Sequence, residues 1–199
     1  MKWPICLGFD GSSVDDWTAI RAETYSGWQF TPTYGPDHRP TIWNPAEWGG
    51  QIPRGEVHAA VDALFRTFAV KRMYCDPRDW MTEIDTWALD HGDEVVLPWD
   101  TGRGSTRIRQ MHDALDRFRT DLTTKALTHD GCPITATHMA NARMVAKPGD
   151  RYILGKPHGA AHQKIDATMA SVVAHEAACD ARAAGWTDQP EDTRILIHR

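Results

Sequence analysis

An α/β fold, one domain in which a mixed sheet is covered by helices, is predicted by three observations. Three apolar, β-prone runs follow one another near the N-terminus, as in an antiparallel meander. The rest of the chain alternates short apolar runs with stretches of helical periodicity. No long linker, internal repeat or low-complexity tract interrupts the 199 residues.

Each element has its own signal. Residues 5–9 form an apolar run closed by Asp10-Gly11-Ser12-Ser13, which reads as a buried strand entering a turn. Residues 18–24 and 28–33 read as the next two strands, and residues 34–53, rich in Pro, Gly and Trp, as a loop. Pro53-Arg54-Gly55-Glu56 opens an amphipathic helix in which Val57, Ala60, Val61, Leu64, Phe65 and Phe68 recur at helical spacing. Residues 70–75 form a strand that stops at Asp76-Pro77, residues 79–91 a helix ended by Gly92, and residues 94–99 another strand. Helices are predicted over 105–127 and 133–146, a short strand over 152–154, and a last helix over 165–184 that ends at Gly185. The domain thus has a core of about 4–185 and a C-terminal tail of 186–199 within 1–199.

Composition excludes several classes. Lys and Arg number 22 against 27 Asp and Glu, a net charge of −5, with 41% hydrophobic and 25% charged residues, which argues against disorder, collagen and a polybasic tail. An acidic chain binds DNA only where its bases gather on one face and cations offset its carboxylates. No run approaches the roughly 18–20 apolar residues of a membrane span. The apolar start contains Pro4 and meets Asp10 rather than a small-residue cleavage site, so a cytoplasmic protein without signal peptide is expected. Cys6, Cys75, Cys132 and Cys179 lack paired spacing and read as reduced thiols. His158 and His162 are four apart, but Pro157 and Gly159 argue against a helix that would present them together to zinc.

Three aspartates hold related positions. Asp10 closes the first strand, Asp76 closes the fourth, and Asp166 starts the last helix. If the first and fourth strands are neighbours, two strand-end carboxylates meet at one sheet edge, and a helix beginning there brings the third. Such crowding is stable mainly when divalent cations neutralise it, and oxygen ligands select Mg²⁺ or Mn²⁺. Two such ions can activate water and stabilise the leaving oxygen of a phosphodiester. Taken singly, Asp10 and Asp76 also read as turn residues and Asp166 as a helix N-terminal acid.

Gly8-Phe9-Asp10-Gly11-Ser12-Ser13 with Asp16-Trp17-Thr18-Ala19, Met73-Tyr74-Cys75-Asp76-Pro77, the segment from His138 to Asn141-Ala142, and Lys164-Ile165-Asp166-Ala167 together resemble the C-terminal nuclease domain of tailed-bacteriophage terminase large subunits. The ordered matches span residues 5–180. The resemblance implies a ribonuclease H-like fold and a two-metal endonuclease that cuts concatemeric double-stranded phage DNA during genome packaging in the host cytoplasm. It implies Asp10, Asp76 and Asp166 as catalytic metal ligands for two Mg²⁺ or Mn²⁺ ions. It also implies an ATPase motor domain, a small terminase subunit and a portal as partners. The chain contains no Gly-x-x-x-x-Gly-Lys-Ser/Thr phosphate loop, so an excised nuclease domain is expected, without packaging activity of its own.

Other residues extend the candidate site. Asp16 matches the resembled Asp-x-Thr and is a metal-site or supporting candidate. His162, one helical turn before Asp166, is a candidate for touching a metal or the attacking water, or for a plain hydrogen bond. Arg103, Arg107 and Arg109 lie in an acid-free stretch, and Arg143, Lys147, Arg151, Lys156 and Lys164 in a second basic stretch. From these, Arg103, Arg107, Arg109, Arg143, Lys147, Lys156 and Lys164 are candidates for DNA phosphate contacts, with solvated surface charge as the alternative. Trp43 and Trp48, in the Pro-rich loop, either stack on bases or fold back onto the sheet.

Two other readings compete. Asp10-Gly11-Ser12-Ser13 also resembles the phosphate turn of actin-like sugar kinases and chaperone ATPases, but those proteins duplicate the fold and need about twice the length. Junction resolvases share the fold and metal site, and a non-catalytic DNA-binding or assembly module could retain it.

Overall fold

The computed structural model describes residues 2–187 apart from 103 and 161, and leaves the Ser105 side chain undescribed. The strands are β1 (Pro4–Asp10), β2 (Thr18–Thr24), β3 (Trp28–Phe30), β4 (Thr33–Tyr34), β5 (Arg39–Pro40) and β6 (Ile42–Trp43). A 3₁₀ turn, Pro45–Trp48, leads to α1 (Arg54–Thr67), β7 (Ala69–Cys75), α2 (Met81–His91) and β8 (Val96–Pro98). Then come α3 (Ser105–Thr124), β9 (Thr128–His129), α4 (Pro133–Asn141), β10 (Arg143–Lys147), β11 (Arg151–Gly155) and α5 (Asp166–Ala183).

The main sheet runs β8-β7-β1-β2-β3-β9, with β6 also on β2. The meander β1-β2-β3 is antiparallel, while β7 and β8 join it in parallel after helical crossovers, the mixed sheet anticipated above. It is a ribonuclease H-like arrangement.

Period-two alternation decides which residue faces which layer. Ile5, Leu7 and Phe9 of β1 pack with Val57, Ala60, Val61 and Leu64 of α1 and with Trp80, Ile84 and Trp87 around α2. Cys6 faces the opposite layer of α3 and α5, with Tyr74 of β7. Gly8 shares the Cys6 side, and a Cβ there would lie 2.2 Å from the Ala174 amide nitrogen and 2.3 Å from the Ala170 carbonyl. Only glycine lets α5 lie this close to the sheet. Asp10, two residues further on, inherits the α5 side.

Several elements depart from expectation. The helix predicted over 133–146 ends at Asn141, and residues 143–147 form a hairpin with 151–155 instead. Its turn uses positive φ at Gly149 and Asp150, 77° and 55°, and Tyr152 of the hairpin sets its ring against His112 of α3. The predicted loop over 34–53 holds β4, β5, β6 and the 3₁₀ turn. Trp43 is a core residue, its indole N–H donating to the Tyr34 hydroxyl at 3.1 Å, which removes it from base stacking. Trp48 is partly buried against the same cluster with Arg39 over its ring. Trp186, at the start of the expected tail, is buried against Tyr25. Residues 188–199 lie outside the described set. Among the described residues, no helix is long and apolar enough to cross a membrane.

Candidate active site

The site forms at the C-terminal ends of β1 and β7. These strands pair in parallel through Phe9 and Cys75, and the Asp76 amide donates to the Phe9 carbonyl at 3.0 Å, so Asp10 and Asp76 are lateral neighbours. Tyr74 belongs to the α5 layer and Cys75 to the α1 layer, which returns Asp76 to the α5 side shared by Asp10. Asp166 is the first residue of α5, whose approach over Gly8 brings it to the same edge.

The electrostatics record the crowding. Burial raises the Asp10 carboxyl well above its ordinary range, and Asp166, Asp76 and Asp16 push the same way while Lys156 opposes. Asp166 is raised to about 6 by burial and by Asp16, against Lys156 and backbone amides. Asp76 is raised by burial, moderated by hydrogen bonds from the Thr101 hydroxyl and, at 3.3 Å, the Arg78 amide, while Asp100 adds repulsion. Asp166 Oδ2 is buried with no hydrogen-bond partner. A buried, unpartnered carboxylate oxygen among like charges is costly unless a cation meets it, so these residues fit hard divalent ions.

The other sequence candidates divide. Asp16 accepts from Lys164 Nζ at 2.9 Å and from Lys156 Nζ; burial pushes it up, but the two lysines win and hold it below the ordinary range. Asp16 is thus a carboxylate already neutralised by two cations, facing the trio. Lys156 and Lys164 stand at the site. Arg107 pairs with Asp100 at 2.8 Å, Arg109 lies 3.8 Å from Asp113 on exposed α3, and Arg143 donates to the Ala140 and Ala142 carbonyls. Lys147 ends β10 in the hairpin. Arg103 lies outside the described residues. His162 is exposed in the turn before α5.

Sequence reasoning assigned no role to three neighbours. His138 is buried, accepts the Ala167 amide on Nδ1 at 3.0 Å and packs edge-on to Trp17. Burial, with Lys156 and Lys164, lowers it to about 4, so it is neutral and anchors the first turn of α5. Thr101 and Asp100, just past β8, touch or bias Asp76. The acid-alcohol pair Asp100-Thr101 directly after an apolar strand was the available signal.

No family model matches the chain. In sequence it is similar to the Gene 13 protein of Mycobacterium phage D29, 29% identical over 182 residues covering 88% of this chain and 29% of that protein. The Gene 13 protein of Mycobacterium phage L5 is 28% identical over the same share. The chain therefore spans about 29% of the length of these curated relatives. In structure it is similar to the large terminase nuclease from thermophilic phage G20c, with a TM-score of 0.61, 10% identity and coverage of 88% of this chain and 84% of that one. The HK97 bacteriophage large terminase gives a TM-score of 0.64 at 16% identity, covering 87% of this chain and 39% of that one. The G20c nuclease has also been solved with bound magnesium and with bound cobalt. In fold, this chain is a terminase nuclease-like domain.

Proposed function

We propose that this domain is a divalent-metal-dependent endonuclease acting on double-stranded phage DNA during genome packaging. The carrying observation is the convergence of Asp10, Asp76 and Asp166 from three elements on one sheet edge, with Asp166 Oδ2 buried and unpartnered. Structural relatives crystallised with magnesium and cobalt support the same reading.

Asp10, Asp76 and Asp166 would hold two ions of the Mg²⁺ or Mn²⁺ class, Asp10 on β1 being the carboxylate that feels both of the others. Such ions supply neutralisation of the developing phosphorane charge, a more acidic water and a stabilised leaving oxygen. The protein's own contribution is positional. Thr101 orients one Asp76 oxygen, the His138–Ala167 contact holds Asp166 at the start of α5, and the Asp16 clasp keeps Lys156 and Lys164 beside the edge for phosphate oxygens. Arg107, Arg109, Arg143 and Lys147 extend the phosphate track, and Arg103 is proposed with them from sequence alone. An ATPase motor domain, a small terminase subunit and a portal are the proposed assembly, since the matched relatives are longer chains.

Plasmid nicking is the test. Supercoiled DNA is expected to be nicked with little sequence preference when Mn²⁺ or Mg²⁺ is added; full activity in excess chelator would overturn the reading. A non-catalytic module would bind the plasmid and leave it intact.

A further inference from the structure

The far end of α5 carries a second cluster that the nuclease reading leaves unused. His175 and Cys179 lie one helical turn apart on α5, and Asp121 reaches them from α3. One donor atom from each lies within 4.8 Å of the other two. His175 Nε2 stands 3.2 Å from Asp121 Oδ2 and 3.6 Å from Cys179 Sγ. A tetrahedral zinc ion, with bonds of about 2.05 Å to N or O and about 2.3 Å to S, separates N from O by about 3.4 Å and N from S by about 3.6 Å. Both measured edges sit near those values.

The ring is also held as a ligand would be. His175 is buried, and its Nδ1 faces Glu23 Oε2 at 3.0 Å, leaving Nε2 aimed at the cluster. Glu23 is itself fully buried and fixed by Gln29 Nε2 at 2.9 Å and Arg182 Nη2 at 3.1 Å. A carboxylate behind the far nitrogen is how metal-binding imidazoles are oriented. Arg182 Nη2 donates to Cys179 Sγ at 3.3 Å, a contact that a coordinated thiolate retains. Partly exposed Asp121 leaves an approach and room for a fourth ligand from water.

We propose that Asp121, His175 and Cys179 form a zinc-class cation site that staples α3 to α5. It lies nine residues along α5 from Asp166, roughly 14 Å. On loading, the Nε2 proton now facing Asp121 and the thiol proton leave for solvent, and the ion takes lone pairs from Nε2, Sγ and a carboxylate oxygen. The sulfur makes this site prefer Zn²⁺ or Co²⁺ over Mg²⁺ and Mn²⁺, which separates it chemically from the carboxylate edge.

The test uses the Asp76→Asn chain, in which the carboxylate edge is weakened, titrated with Co²⁺ and then with Zn²⁺. One equivalent of cobalt is expected to develop tetrahedral d–d bands and a thiolate-to-cobalt charge-transfer band, both displaced by zinc, and zinc is expected to raise the melting temperature. Adding Cys179→Ser should abolish the thiolate band and the zinc-dependent rise, and adding Asp121→Asn, on a half-exposed side chain that folding tolerates, should weaken zinc by at least about tenfold. Glu23→Gln should weaken it by about 10- to 100-fold through ring orientation. Cobalt bands without a thiolate component, or zinc binding unchanged by both Cys179→Ser and Asp121→Asn, would overturn the proposal. Neither result depends on whether the domain cuts DNA.

Discussion

The two ends of α5 solve the same problem in opposite ways. At its N-terminus, Asp10, Asp76 and Asp166 crowd together, while Lys156 and Lys164 are spent on Asp16. At its far end, among the described residues, the buried acids meet bases: Glu23 meets His175 and Arg182, and Glu176 meets Arg117 at 2.7 Å. Two raised pKa values therefore mean different things. Burial opposes charge on His175, yet hydrogen bonds to Cys179 and Glu23 raise it to about 10, holding the imidazole charged. Asp166, raised to about 6 by burial and Asp16, is being pushed toward neutrality. The unbalanced end needs hard cations to offset its surplus of carboxylates, whereas the balanced end holds its charges without metal, and a zinc-class ion there would enter only by displacing the His175 and Cys179 protons.

The largest expected effect breaks the unbalanced end. Asp76→Asn replaces a carboxylate with an amide whose N–H₂ repels cations, and nicking should fall by roughly a hundred- to thousandfold or more. In chelator the same variant should melt at equal or higher temperature, with a gain in stability of up to about 1 kcal/mol, because one of three like charges is gone. A large drop in melting temperature would make Asp76 a structural turn residue.

Breaking the balanced end should do the reverse. Glu23→Ala leaves Arg182 and His175 buried without their shared acid, and urea unfolding should register a loss of about 3–5 kcal/mol. A loss under about 1 kcal/mol would mean water already screens that network.

Acidity separates the two ends without mutation. Asp10, Asp76 and Asp166 are raised in the fold, so in chelator the stability tied to their protonated forms is complete below the ordinary carboxylate value of about 4 and is lost as pH rises through their raised values, which for Asp166 is about 6. His175, also raised, contributes stability complete below about 6.5 that is lost as pH rises through about 10. Melts in chelator across pH should fall in these two windows, and Mg²⁺ in place of chelator should remove the first decline alone. A flat profile between pH 4 and 7 would contradict the crowding.

The smallest effect sharpens the role of the clasp. Lys156→Ala should weaken DNA binding and reduce the salt-dependence slope by about 0.9 if that lysine leaves Asp16 for a phosphate. An unchanged slope would confine it to the clasp.

Much of this was legible because strand ends and helix starts are local events. Apolar runs closed by Asp10 and Asp76, and an amphipathic helix opening at Asp166, identify the three carboxylates from neighbouring residues alone. Residues 143–146 read as the end of a helix and fold as strand because a helical pattern and a two-residue alternation are hard to tell apart over so few positions, although Pro148-Gly149-Asp150 carries a turn signal. From sequence Asp16 is a metal-site or supporting candidate, and nothing local reveals that lysines 140 and 148 positions away neutralise it.

The sequence by itself determined the alternation that turns Asp10 and Asp76 to one face, and the Gly8 that admits α5 there, since both follow from the backbone's period of two and from the absence of a Cβ. Only the tertiary structure decided which charges are balanced. Coulomb energy depends on distance in space and on exclusion of water, and Glu23 meets His175 only because α5 crosses β2 152 positions later.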